Sequence, residues 1–369
     1  MIGRVWLVTA GAAIAACTGT AQPVAPGPGV ASAVPVPVAP AGEVRAVTLQ
    51  RRIALAGPVG ALAWLYDGTR VVLGEDSGAA RIVDVNTGVV QELGQFPRRV
   101  TAIAASPTRV AVAASTDLQV WPLAMDAAGR DLPGHEDLVL DLGFDGEALV
   151  AVDLRNVLRR WDVDRGRAVP TAVPTIHALA LALAPGAAAL AIGGYGDVAV
   201  IEVADGRQRF KLGMPRCSAA PTDLLCAEWR EVEIEEFPAE PGGRPGSYRT
   251  QRPNWYVSDL AFSADGTRLA FGRADGVAVV VDAMTGRALG RFAAGVDKRA
   301  TVALTRDGAT LAIGDGDGRI ALWDVGVRRE LRVVHEPGAA VNGLAFSPDD
   351  TALAAGGPGP CATIWALAR

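Results

Sequence analysis

One phrase recurs along the chain at a nearly constant step, and that step restricts the fold more than any other feature. It reads Ala61-Leu62-Ala63-Trp64, Ala102-Ile103-Ala104-Ala105, Asp141-Leu142-Gly143-Phe144, Ala180-Leu181-Ala182-Leu183, Asp259-Leu260-Ala261-Phe262, Thr301-Val302-Ala303-Leu304 and Gly343-Leu344-Ala345-Phe346. Between second positions the spacings are 41, 39, 39, 79, 42 and 42 residues. Short alternating apolar runs at such a period indicate four-stranded propeller blades rather than helical solenoids. The copy at 257–292 shows the grammar. A first strand ends at Asp265-Gly266, and a second, Arg268 to Gly272, ends at Asp275-Gly276. A third, Val277 to Asp282, meets Thr285-Gly286, and a fourth runs through Leu289. Gly takes positive φ without steric cost, so Asp-Gly and Thr-Gly between β-branched runs are hairpin signals. Seven units are present, and the last lacks a fourth strand after Trp365. Residues 46–57 precede the first unit and read as a strand without a partner. They are expected to complete the last blade, since closing the ring removes exposed sheet edges.

These units resemble WD40 repeats over about residues 47–369. Trp161-Asp162 and Trp323-Asp324 are the dipeptide itself, and Val83-Asp84 and Val281-Asp282 keep its Asp. Gly134-His135 matches the family's Gly-His, and His335 stands near the same place in the last unit. LAFSADG at 260–266 and LAFSPD at 344–349 are typical phrases. The resemblance implies an all-β, seven-bladed propeller with a His–Ser/Thr–Asp–Trp hydrogen-bond tetrad. That tetrad is incomplete in every unit here; His135, Asp153 and Trp161 come closest.

The 79-residue step leaves about 38 residues over. Either an eighth blade is degenerate, or a loop has grown between blades 4 and 5 over about 214–254. The second reading is preferred, with a β-hairpin whose first strand, Ala227 to Phe237, carries Trp229 and alternating Glu, and whose return strand carries Arg249 and Arg252. Opposite charges on facing strands pair favourably. Cys217 and Cys226 at its base are expected to form a disulfide if the protein is exported; two free thiols are the other reading. Cys361, in an apolar strand, is expected to be a buried inert thiol. In WD40-like propellers the links between blades lie on the top face, the usual partner-binding surface. By that likeness Arg98, Arg99, Asp137, His177, Trp255, Tyr256, Lys298 and Arg299 ring the face, together with Trp229 of the insertion. Arg, Trp and Tyr are the types that anchor interfaces, although Trp255 and Tyr256 could equally cover the blade and the Arg be solvated.

The N-terminus reads as an address. Arg4 precedes an apolar run from Val5 to Ala16, too short to span a bilayer. The run ends in Ile14-Ala15-Ala16-Cys17, which resembles a bacterial lipobox whose cysteine, Cys17, receives lipid; an ordinary cleavable signal is the other reading. Residues 18–45 are rich in Pro, Ala, Val and Gly and read as a flexible tether. The domain organisation is therefore a signal peptide over 1–17, a tether over 18–45 and a propeller over 46–369. This places the chain in a bacterial cell envelope, lipid-anchored at the outer membrane if there are two.

Composition narrows the chemistry. With 35 Lys and Arg against 40 Asp and Glu and no basic block, the chain does not resemble a nucleic-acid binder. No GxSxG and no CxxC is present, and the three histidines, His135, His177 and His335, fall in separate units, so no metal site and no cofactor is expected. The runs Gly193-Gly194-Tyr195-Gly196 and Gly314-Asp315-Gly316-Asp317-Gly318 fall at hairpin turns rather than at strand-to-helix junctions, which excludes a phosphate cradle. The expectation is a non-catalytic scaffold, a monomer or part of a hetero-complex, with a protein partner. The alternative is a lactonase- or dehydrogenase-like propeller with a ligand site at the top of the central channel.

Overall fold

Each unit of about forty residues closes into a four-stranded antiparallel sheet, because its apolar runs alternate with turns tight enough only for hairpins. The computed structural model describes residues 44–124, 128–155, 157–172, 178–212, 256–293, 299–335 and 340–368. The chain enters through β1 (Ala46–Ala54). Blade 1 is β2 (Val59–Trp64), β3 (Arg70–Glu75), β4 (Ala79–Asp84) and β5 (Val90–Gln95). Blade 2 is β6 (Ala102–Ala105), β7 (Arg109–Ala114), β8 (Asp117–Pro122) and the short β9 (Arg130–Asp131). Blade 3 is β10 (Val139–Asp145), β11 (Ala148–Asp153), β12 (Val157–Asp162) and β13 (Arg167–Ala172), and blade 4 is β14 (Ala180–Leu183), β15 (Ala189–Gly193), β16 (Val198–Glu202) and β17 (Gln208–Leu212). Blade 5 is β18 (Val257–Phe262), β19 (Arg268–Arg273), β20 (Val277–Asp282) and β21 (Ala288–Ala293), and blade 6 is β22 (Thr301–Leu304), β23 (Thr310–Gly314), β24 (Arg319–Asp324) and β25 (Arg329–His335). Blade 7 joins β26 (Gly343–Phe346), β27 (Ala352–Gly356) and β28 (Cys361–Ala368) to β1.

The closing strand is the one expected from the sequence. β1 pairs antiparallel with β28, Ala46 opposite Ala368 and Ala54 opposite Cys361, and becomes the outer strand of blade 7. Trp64 Nε1 of blade 1 donates to Ala345 O of blade 7 at 2.9 Å across the same joint. All seven sheets therefore lie within residues 44–368.

There is no single core. The buried apolar residues form seven clusters, one in each seam between neighbouring blades. The second strand of each blade contributes most, because it is covered on both faces: Val71, Val72 and Leu73, or Leu190, Ala191 and Ile192, are fully buried. Burying one such Val or Leu stabilises by about 1.5–3 kcal/mol. The seams are also closed by main chain at their top ends. In six of the seven seams a residue at the end of one blade's second strand, or just past it, accepts a hydrogen bond from the N–H that opens the next blade: Val100 to Glu75, Val139 to Ser115, Val257 to Gly194, Ala300 to Arg273, Val341 to Asp315 and Val59 to Gly357, all between 2.8 and 3.1 Å. Close approach at this point explains a recurring glycine. A Cβ on Gly272 would collide with Ala300 O, and one on Gly314 with the Val341 side chain.

Candidate docking face

Antiparallel alternation puts the turns between second and third strands, and the links from one blade to the next, on one face. There the chain must hold loops of different composition in constant positions, and main-chain hydrogen bonds join six of the seven seams, with Ser258 Oγ donating to Ala300 O and Thr301 Oγ1 to Val341 O beside two of them. Arg98 and Arg99, on the link from blade 1 to blade 2, are exposed. Tyr256, on the approach to blade 5, stands edge-to-face with Tyr195 in the turn between β15 and β16, ring centroids 6.3 Å apart. Tyr195 is 55% exposed, and the Lys211–Asp197 ion pair at 3.1 Å lies at the end of the same blade. Two exposed aromatic rings with their polar tips in water are a ready contact for a partner.

Other expected residues are committed locally. Asp137 is half-buried; its carboxylate accepts the Leu138 N–H at 2.7 Å and faces Arg155 at 3.7 Å. Arg299 turns toward the channel, where Nη2 donates to Ser258 O at 3.4 Å. His177, Trp229, Trp255, Lys298, Cys17, Cys217 and Cys226 lie outside the described residues, as does the insertion over 214–254.

The channel is a cavity of about 390 Å³ bounded by the seven inner strands. Its wall is mostly Leu, Val, Ala and Phe, with two carboxylates, Asp141 and Asp259. Each clasps two blades. Asp141 accepts the N–H of Leu142 at 2.8 Å and of Leu183, in the next blade, at 2.8 Å. Asp259 accepts from Leu260 at 2.9 Å and from Val302 of the next blade at 2.8 Å. Burial pushes the Asp141 carboxyl up to about 7 despite both hydrogen bonds, and the charge of Asp259 adds to it. Burial likewise raises Asp259 to about 6, moderated by Val302, Leu260 and Arg299. Their signal was in the sequence: only two of seven copies of the recurring phrase begin with Asp. Which surface they face is a property of the closed ring. Among the described residues no group of three His, Cys, Asp or Glu is placed to hold a metal ion.

The tetrad of blade 3 is present in three of its four parts. His135 Nδ1 meets Asp153 Oδ2 at 2.8 Å, and the His135 and Trp161 rings lie 5.2 Å apart. Burial holds the imidazole below its ordinary pKa against the pull of Asp153. His135 Nε2 and Trp161 Nε1 are buried without hydrogen-bond partners. Ala151 packs in the same cluster as Trp161 and brings no hydroxyl there. Asp162 and Trp323-Asp324 have separate tasks. Asp162 accepts the Arg165 N–H at 3.0 Å, Asp324 accepts the Val327 N–H at 2.9 Å, and the Trp323 ring stands edge-to-face with Phe292 at 5.7 Å. The glycine runs close the β15–β16 and β23–β24 hairpins, as read; Asp315 Oδ1 accepts the N–H groups of Asp317 and Arg319 at 2.9 and 3.0 Å.

Cys361 corrects an expectation. It is half-buried at the head of β28 and disulfide-bonded, where an inert buried thiol was expected.

The family model for the WD domain, G-beta repeat, matches residues 328–365. That stretch covers the outer strand of blade 6 and the inner three strands of blade 7, so the sequence repeat runs one strand out of phase with the blade. No curated protein matches the chain.

Proposed function

We propose that this WD40-repeat propeller is a non-catalytic docking platform of a bacterial cell envelope, held near the membrane by a lipid on Cys17. The observation that carries the docking half is a top face whose links are held by main-chain hydrogen bonds and which presents Arg98, Arg99 and the Tyr195–Tyr256 pair to solvent. A surface already held in place loses little conformational freedom when a partner binds. The anchoring half is supported by the charged start, the short apolar run and the lipobox-like Ile14-Ala15-Ala16-Cys17. The channel supports a ligand site less well, because each of its two carboxylates is already occupied by backbone N–H groups from two blades.

The test is affinity capture from intact envelopes with the parent chain and with Arg98→Ala, Arg99→Ala, Tyr195→Ala and Tyr256→Ala combined. All four side chains are exposed, so the fold should persist while partner recovery falls at least tenfold. Unchanged recovery would place docking elsewhere.

A further inference from the structure

The outer strands of blades 6 and 7 carry several arginines with few carboxylates beside them. On other blades several basic side chains meet carboxylates: Arg70 with Asp67, Arg109 with Glu147 and Asp164, Arg155 with Glu136, Arg209 with Glu202. Along β1 and its approach stand Arg45, Arg51 and Arg52, with no Asp or Glu between residues 44 and 66. On β25 and the turn before it stand Arg328 and Arg332; Glu330 is engaged by Arg319 at 2.5 Å. The hydrogen bonds these arginines make go to carbonyls. Arg51 donates to Val85 O at 2.7 Å, Arg328 to Leu289 O at 2.9 Å, and Arg332 to Leu331 O at 2.6 Å and to Arg45 O. A carbonyl satisfies a donor but leaves the charge in place. The last bond joins the two strands into one flank from residues 287 positions apart, which is why no basic block is visible in the sequence.

Apolar side chains are exposed on the same strands and at the bottom end of β25: Leu49 of β1 at 40%, Val333 of β25 at 36% and Val327 of the β24–β25 turn at 69%. Val44, just before β1, is buried in the seam between blades 6 and 7.

We propose that this flank seats on an anionic membrane, with its arginines against lipid phosphates and Leu49, Val327 and Val333 at the headgroup boundary. The inference rests on the envelope reading for its setting, but the contact itself needs no lipid on the protein. It deepens that reading by orienting the disc edge-on, which leaves the top face clear for a partner.

The experiment is co-sedimentation of residues 44–369, which hold every strand of the ring, with vesicles of phosphatidylglycerol or of phosphatidylcholine. Retention on the anionic vesicles should be at least tenfold stronger and should fall with added salt. Arg45 and Arg52 are exposed, so Arg45→Gln with Arg52→Gln should leave the thermal melt unchanged and weaken binding about fivefold for each charge removed. Leu49→Ser with Val333→Ser should produce a smaller loss, about threefold. Equal retention on both vesicles, no retention, or retention unmoved by the arginine variant would overturn the proposal. Binding to a DNA duplex or polyglutamate in place of vesicles would also overturn it. Radiolabelled palmitate tests the anchor separately. An unlabelled chain whose propeller still sediments removes the anchor alone, and a labelled chain whose propeller stays in solution removes this contact alone.

Discussion

The turns at the bottom of the disc and the seams at its top are held by different chemistry. On the bottom, polar side chains shape the turns. Asp265 accepts the Thr267 N–H at 2.9 Å and the Ser263 hydroxyl at 2.6 Å; Asp349 does the same for Thr351 and Ser347; Asp84 and Asp282 each hold the N–H and hydroxyl of a Thr three residues on. On the top, six of the seven seams are joined by a main-chain N–H and a main-chain carbonyl. The consequence is a division of labour. Bottom residues are set by the need to turn the chain, whereas residues on the top links can vary without loosening the ring, and variation is what recognition requires.

Breaking the top seam should cost most. Gly272→Val forces side-chain atoms against Ala300 O, a backbone atom that cannot yield without losing its own blade. A loss of about 3 kcal/mol or more, or failure to fold, is expected in urea denaturation. Asp282→Ala on the bottom removes an acceptor for the Met284 and Thr285 N–H groups but leaves them open to water, and should cost about 1–2 kcal/mol. Equal losses from the two variants would erase the contrast between the faces.

The fold was readable because its signals are local. A hairpin is announced by two residues of its turn, and a blade by alternation within a few residues, so period and phrase suffice to count seven units and to leave β1 for the last. The site was less readable because exposure and proximity belong to the closed ring. Tyr195 sat in a glycine run read only as a turn, Asp141 and Asp259 in a phrase read only as a strand, and the arginines of blades 6 and 7 in segments from opposite ends of the chain.

The channel offers a contrast in pH. A carboxyl raised to about 7 at Asp141 and about 6 at Asp259 binds protons in the fold that the unfolded chain, near 3.8, has released. Their stabilising contribution is complete below about 3.8 and is lost as pH rises through 6 and 7. The bottom turns run the other way: the Thr285 hydrogen bonds hold Asp282 below its ordinary value, so its contribution is present above about 3.8 and fails only in acid. The melting temperature should therefore rise by a few degrees from pH 8 to pH 5, then fall as the solution becomes strongly acidic. Asp141→Ala should flatten the first limb while keeping the second. A melt independent of pH between 5 and 8 would show that water reaches both carboxyls freely.

The smallest expected effect is a gain. In blade 3, His135 Nε2 and Trp161 Nε1 are both buried without partners, one an acceptor or donor by tautomer and the other a donor only. Ala151 is fully buried beside them in the cluster, on the strand that pairs with Trp161's own. A hydroxyl there can accept from the indole and donate to the imidazole, whose Nδ1–H is then directed at Asp153, joining the Asp, His and Trp into one chain of hydrogen bonds. Ala151→Ser adds a single oxygen and should stabilise by about 1 kcal/mol, since it satisfies two buried groups that otherwise bear their desolvation cost unrelieved. The gain should vanish in a His135→Phe background, where the hydroxyl would lose its acceptor. A gain that persists there would trace the effect to strand packing. A loss in both backgrounds would mean that the seam between blades 2 and 3 is already too closely packed to admit the oxygen.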